Sequence, residues 1–337
     1  MITVASSARV SGRAALGPGV VLAQGTAVRA STDAVMVIGH DSAVLENSVA
    51  VSWVDHPVQV GRRTVFGHRC LVIGATVGDL CEVGNGTILL PGSSVGSGCV
   101  LGEGTLVPAG VSIPDDSVLV GRPARCIRST SHDDRSRVTA LRGGEVTLFD
   151  PPPASVTTVE GPDPFGADMG TMWEYRGIRP TVDPAAVIAD SAELTGDVTV
   201  GPGTVIGAGV RIIGDSHGPV CIGAGVQILE NSVLHLLPDN TLVVEDDVII
   251  GPGTMIHGCH IGAASVIEPG AIVCDWVELG ERCLVTAGSV VPQRRAHPAG
   301  SVIAGFPARV VDHLEGAPER PGWAVDLDAL ATLRRVG

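Results

Sequence analysis

The chain has 337 residues, among them 45 Gly, 23 Pro and only nine aromatics, a length that allows about two domains. Acidic residues outnumber basic ones 36 to 22, giving a formal charge of -14, which offers no field to hold a phosphate backbone or an anionic membrane surface and argues against both as partners. All 22 basic residues are Arg, so a lysine Schiff base is excluded as well.

No apolar run approaches the roughly 20 residues that a membrane helix needs. The opening stretch MITVASSARVSG lacks a basic start followed by an apolar core, so a cytoplasmic protein is expected. The eight Cys show no CxxC pair and no secreted-domain framework, and are expected to be small buried hydrophobes without a metal or redox role.

Two periods run along the chain. The short one is a hexad: Val77-Gly78, Val83-Gly84, Val95-Gly96 and Leu101-Gly102 each open one, as do Val200-Gly201, Ile206-Gly207, Ile222-Gly223 and Ile261-Gly262. An aliphatic residue in every hexad, followed by Gly, predicts short flat strands joined by tight turns, three hexads to a coil: a left-handed parallel β-helix. The aliphatic residue points inward and stacks on its equivalent one coil away. The long period relates the two halves of the chain without a gap, carrying Leu45-Glu-Asn-Ser-Val49 onto Leu229-Glu-Asn-Ser-Val233 and Gly121-Arg-Pro-Ala-Arg125 onto Gly305-Phe-Pro-Ala-Arg309.

The expected organisation is therefore all-β, with two left-handed parallel β-helix domains in one chain, at 1–128 and 178–312. Residues 129–177 carry SHDDRSR, the triple Pro151-Pro152-Pro153 and no hexads, and read as a linker with a short strand around Glu145–Phe149. Residues 313–337 form a tail in which Trp323–Arg335 has the apolar spacing of a short C-terminal α-helix that braces the solenoid.

The Pro-Ala-Arg endings resemble those of the hexapeptide-repeat superfamily, which includes acyltransferases and gamma-class carbonic anhydrases. A more specific resemblance, to the gamma-carbonic anhydrases, covers nearly all of both halves. It runs through Tyr175-Arg-Gly-Ile-Arg-Pro180, Gly196-Asp197-Val198, Gly214-Asp215, Asn231-Ser-Val-Leu-His235 and Ile256-His257-Gly258-Cys259 in that family's order.

That resemblance implies three His ligands to zinc or a similar divalent metal such as Fe2+ or Co2+, at a fixed spacing that can be laid on each half. In the first half these positions are Val51, His68 and Ile73; in the second they are His235, Pro252 and His257. Each half is incomplete, and the survivors are complementary. In the family the middle His comes from a neighbouring subunit, so His68, His235 and His257 make up one whole site where a first half meets a second. The family's Arg-Gly-Asp pair behaves alike, with Arg29 surviving in one half and Asp215 in the other.

Zinc in catalytic sites takes three protein ligands and leaves a fourth position for water, whose pKa falls to about 7. The resemblance thus implies a metal-dependent hydratase, lyase or hydrolase acting on a small molecule. Asp55 and Asp239, equivalent in the two halves, are candidate proton shuttles. Two family positions depart: the Gln that precedes the first His by one hexad is Leu45 or Leu229, and the acidic shuttle beside Arg-Gly-Asp is Thr32 or Ser216. The set for carbon dioxide hydration is thus incomplete.

The remaining His, including His56 near the site, lie off the ligand register and are expected in turns or facing solvent. Trimeric rings of three β-helices are the family's assembly, and a ring of three cannot alternate two kinds of unit. Either a homo-oligomer or pairing of the two β-helices within one chain would unite the ligands. Two other functions fit the fold: an acyltransferase with an acyl-CoA donor between coils and a His as general base, and a non-catalytic scaffold presenting flat rigid faces.

Overall fold

The computed structural model describes residues 1–31, 33–141, 157–161, 170–215 and 218–326. The chain divides into two compact units, Met1–Asp163 and Pro164–Gly337. Each is a solenoid of short parallel strands laid on three faces.

In the first unit, one face runs through Val21–Leu22, Ala43–Val44, Val65–Phe66, Glu82–Val83 and Val100–Leu101; the next through Ala27–Ala30, Val49–Ser52, Leu71–Ile73, Ile88–Leu89 and Leu106–Val107; the third through Val35–Ile38, Gln59–Val60, Thr76–Val77 and Ser94–Val95. The long strand Arg9–Leu16 turns a corner and belongs to two faces. In the second unit the strands that matter for the site are Glu193–Gly196, Arg211–Gly214, Val233–Leu234, Met255–Ile256 and Ile272–Val273, neighbours in one sheet.

The hexad explains the packing. Successive side chains of a strand point to opposite faces, so in a two-residue strand one enters the prism and the other leaves it. Val60, Val77 and Val95 follow one another in register and are buried. Phe66, fully buried, stacks between Val44 and Val83. In the second unit Leu194, Ile212, Leu234, Ile256 and Val273 form one fully buried column.

The corners carry a second ladder. At several corners a carbonyl and an N–H that the strand pairing does not satisfy are bridged to the next coil by small hydroxyl or thiol side chains. Ser42 Oγ donates to the Gly61 carbonyl and accepts from the Thr64 N–H; Thr64 Oγ1 then donates to the Gly78 carbonyl and accepts from the Cys81 N–H. Ser48 and Cys70 repeat the pattern at another corner. Cys70 thus sits in a hydrogen-bonding role, and burial pushes its thiol up to about 12, far from a reactive thiolate. Cys81, Cys99, Cys259 and Cys283 are also buried, but Cys126 and Cys221 are exposed and Cys274 is half-buried, so burial does not extend to all eight.

The long period of the sequence reappears in the strands: Ile88–Leu89 corresponds to Ile272–Val273, and Leu106–Val107 to Val290–Val291. Both units end in the same way, with an antiparallel pair. Ser117–Val120 pairs with Arg125–Ser129, and Ser301–Gly305 with Ala308–His313, each with a register shift.

The stretch expected as a linker holds more structure than its composition suggested. It contains α1 (His132–Leu141), the one helix among the described residues, and a strand, Thr157–Gly161, that pairs antiparallel with Gly12–Leu16. Ser131 caps the helix: the Asp134 N–H donates to Ser131 Oγ while the Asp134 carboxylate accepts from the Ser131 N–H, a reciprocal box that the Ser-His-Asp-Asp run encodes. Arg128 beside it and these Ser131 donors hold the Asp134 carboxyl well below the usual range. The second solenoid begins before residue 178, since Thr171–Trp173 already pairs with Glu193–Thr195. The strand expected around Glu145–Phe149 and most of the helix expected over Trp323–Arg335 lie outside the described residues.

Gln227 holds the described part of the tail. Gln227, on an outer column yet buried, donates through Nε2 to the Val325 carbonyl and accepts from the Val325 N–H, both at 2.9 Å, imitating one rung of a β-ladder. Trp323 and Val325 are themselves buried. Arg320 Nη2 also donates to the Val325 carbonyl, so Gln227→Ala removes the acceptor of the buried Val325 N–H and one of two donors to its carbonyl, and is expected to cost about 1–3 kcal/mol. Chemical denaturation measures the loss, and limited proteolysis should cut the tail faster.

Glu268 gives a pH handle. Burial pushes its carboxyl above the ordinary value of 4.5, partly offset by the N–H of Ala287, which donates to Oε2. A folded-state value above the unfolded one means the native chain binds the extra proton, so this contribution is full below the unfolded value and is lost as pH rises through the folded one. Glu268→Gln is expected to flatten the decline in stability as pH rises above the ordinary carboxyl value of 4.5, measured by urea unfolding.

Candidate metal centre

His235 and His257 each follow a two-residue strand of the same sheet. Leu234 and Ile256 point into the prism and are fully buried, so alternation turns both His outward. The register Val233↔Met255 and Leu234↔Ile256 sets His235 one coil from His257, and the His235 N–H donates to the Ile256 carbonyl at 3.0 Å. The rings meet edge to face with centroids 6.4 Å apart. Two residues well separated in sequence become neighbours because the chain between them makes one full coil.

Two carboxylates flank this pair. Asp215, just beyond the strand Arg211–Gly214, lies with Oδ2 3.9 Å from His235 Nε2. Asp275, on the coil that follows His257, lies with Oδ2 3.5 Å from His257 Nδ1, a buried nitrogen without a hydrogen bond among the described residues. Asp275 is only 7% exposed. Its Oδ1 accepts from the N–H of Leu237 at 3.3 Å, from Asn240 Nδ2 at 3.2 Å and from the N–H of Gly258 at 3.2 Å.

His68 belongs to the first unit. It occupies a corner after Val65–Phe66, half-exposed, with its backbone N–H donating to Asn85 Oδ1. Its Nδ1 lies 2.8 Å from Glu46 Oε2. A carboxylate against Nδ1 recurs at His68 and His257, and in both cases it leaves Nε2 as the nitrogen available to a metal.

The other site residues are placed as follows. Arg29 lies in Ala27–Ala30, in register with Val51, at the position that Ile213 takes in the second unit. Asp55 and Asp239 stand in exposed turns, Asp239 with φ of +60°, and the carboxylates that approach the His pair are Asp215 and Asp275. His56 packs edge to face on Trp53 in the turn above Gly74. Leu229 is fully buried, so its position is packed rather than directed at a ligand. Thr32 and Ser216 lie outside the described residues. Among the described residues, no group of three His, Cys, Asp or Glu is arranged to hold a metal ion. No helix among them is long and apolar enough to cross a membrane.

Sequence reasoning singled out the three His and passed over Glu46 and Asp275, whose carboxylates lie against two of them. Each contact spans one coil, from Glu46 to His68 and from His257 to Asp275, and the two coils differ in length, so no local spacing announces either. Stacking each candidate His on the coil before and after it would have found both.

Comparison with known proteins agrees with this architecture. Residues 57–91 match the family model described as hexapeptide repeat of succinyl-transferase. A carbonic anhydrase of Geobacillus kaustophilus is 37% identical over 143 residues, which is 42% of this chain and 78% of that protein. Gamma carbonic anhydrase 1, mitochondrial, of Arabidopsis thaliana is 35% identical over 141 residues, 40% of this chain. The chain spans 51% of that relative's length. A solved structure of a putative acetyltransferase from Bacillus cereus is 35% identical, covering 44% of this chain and 85% of that one, with a TM-score of 0.43. The chain belongs to the hexapeptide-repeat family of the gamma carbonic anhydrases, and folds as that family's β-solenoid.

Proposed function

We propose that this protein is a metal-dependent hydratase or hydrolase whose one kind of site unites His68 of a first half with His235 and His257 of a second. The observation that carries the reading is the recurrence of a carboxylate against Nδ1, Glu46 at His68 and Asp275 at His257, beside a His pair already stacked on one sheet. That donor set, three neutral imidazoles, suits zinc, with Fe2+ or Co2+ as alternatives. When bound, zinc supplies a water acidified to a pKa of about 7 for attack on carbon dioxide or another electrophilic carbon.

The chain's own groups divide the remaining work. Glu46 and Asp275 orient rings through Nδ1. Asp215, 3.9 Å from His235 Nε2, stands close enough to the ligands to hold a proton at Oδ2, and Arg29 of an adjoining half is its ion-pair partner. Asp55 and Asp239, exposed in their turns, exchange protons with bulk water. The assembly that completes the site is a homo-oligomer in which halves of both kinds meet, and the substrate is a small molecule. With Leu45 and Leu229 where the family has Gln, carbon dioxide is one substrate to test among several small electrophiles.

Elemental mass spectrometry on tag-free protein tests the reading. About one metal per chain, or about two per three chains, is expected, with loss on His68→Ala or His257→Ala. A wild-type chain that stays empty after reconstitution with zinc, cobalt and iron sinks the proposal; acetyl-CoA binding would then point to the acyltransferase, and its absence to a scaffold.

A further inference from the structure

Asp275 is an unusual carboxylate for a β-solenoid. It is 7% exposed, and a buried carboxylate is costly unless several donors meet it. Three donors meet one of its oxygens: the N–H groups of Leu237 and Gly258, and Asn240 Nδ2. Asn240 is anchored in turn, donating to the Gly258 carbonyl at 2.7 Å. Oδ1 is thus fully engaged by the turn that follows His235 and by the residue that follows His257. Oδ2 is left toward His257 Nδ1, 3.5 Å away.

The duplicate supplies an independent observation. Across the long period, His257 corresponds to Ile73, Asp275 to Pro91 and Asn240 to His56. Where the imidazole is lost, the carboxylate and the amide that holds it are lost with it. Gly74 and Gly258 are retained, and so are the strands Ile88–Leu89 and Ile272–Val273, so the coil does not need Asp275 in order to fold. The acid follows the His, not the scaffold.

We propose that Asp275 is a positioning residue that fixes His257 as the Nδ1–H tautomer, leaving the Nε2 lone pair as its only donor to a divalent cation. This rests on the metal-site reading for its purpose, but not for its geometry. An imidazole facing a carboxylate through Nδ1 keeps its proton there, because the other tautomer would set a lone pair against a negative oxygen. Asn at 275 preserves an acceptor for the three donors yet can turn its NH2 toward Nδ1, which favours the opposite tautomer.

The test reads imidazole 15N shifts in the metal-free full-length chain, at a pH well above the usual imidazole range, with His257 assigned from a His257→Gln variant. The expected spectrum has Nδ1 protonated and Nε2 bare in wild type, moving toward Nε2–H in Asp275→Asn. Zinc titration should show affinity about 10- to 100-fold weaker in Asp275→Asn. Wild-type His257 found as Nε2–H overturns the proposal, whether or not the variant folds; so does a folded Asp275→Asn whose tautomer is unchanged. A wild-type chain that binds no zinc, yet shows the expected tautomer and its response to Asp275→Asn, retires the metal-site reading and leaves the positioning by Asp275 standing.

Discussion

Mixing His68→Ala and His257→Ala chains, neither of which is expected to hold metal alone, should restore roughly a quarter of the wild-type metal content when the two are unfolded and refolded together at equal amounts. The fraction follows from random pairing: a complete site needs a first half that retains His68 and a second half that retains His257. Each comes from the opposite variant, so about half of each kind qualifies. A single-subunit site would be lost in both variants and could not be restored. Zero restoration would assign each site to the two halves of one chain, and restoration without refolding would mean that the assembly exchanges subunits. Metal content by elemental mass spectrometry reads all three outcomes.

Gly196→Ala is expected to be the most damaging small substitution near the site, lowering stability by about 2–4 kcal/mol in denaturant unfolding. Gly196 has φ of +74°, and a Cβ there would collide with the Gly214 carbonyl oxygen. That carbonyl is backbone of the next coil, so no side-chain rotation relieves the clash. The strand Arg211–Gly214 would have to move, and Asp215 follows it directly while the Arg211↔Val233 pairing leads on to His235. Metal affinity should therefore fall together with stability. Gly12, the equivalent residue in the first unit, has the same φ, and a Cβ there would collide in the same way with the Ala30 carbonyl oxygen. Gly12→Ala should destabilise to a similar degree, displacing Arg29 instead of the ligands.

The contrast between those two positions shows what could be read without the fold. Inward columns were legible because one aliphatic residue per hexad maps directly onto one buried layer: Val77, Val95 and Leu101 in the first unit, Ile206, Ile222 and Ile261 in the second. The complementary distribution of His68, His235 and His257 was legible because the gapless long period sets each half against the other, position by position. Contacts between coils were not, since coil length varies: Val49 pairs with Leu71, whereas Leu71 pairs with Ile88. Asp275 and Glu46 were hidden by that variation, and Gln227 by the long stretch of chain that separates it from Val325. Helix α1 was missed for a different reason. Its surface is strongly polar, so apolar spacing gave no signal, and only the Ser131…Asp134 cap betrayed it.

A solenoid of parallel strands has no natural length. Its last coil presents the same row of N–H and C=O groups that every earlier coil used to hold its neighbour, so an open end would accept another prism end to end. The antiparallel returns Arg125–Ser129 and Ala308–His313 occupy that row on one of the three faces in each unit, and their reversed direction and register shift offer no template there for a further parallel strand. In-register stacking of a further parallel coil is thereby obstructed at the same face of both units. His235 and His257 lie away from that end, on consecutive coils in the middle of their sheet, so the return leaves their face open.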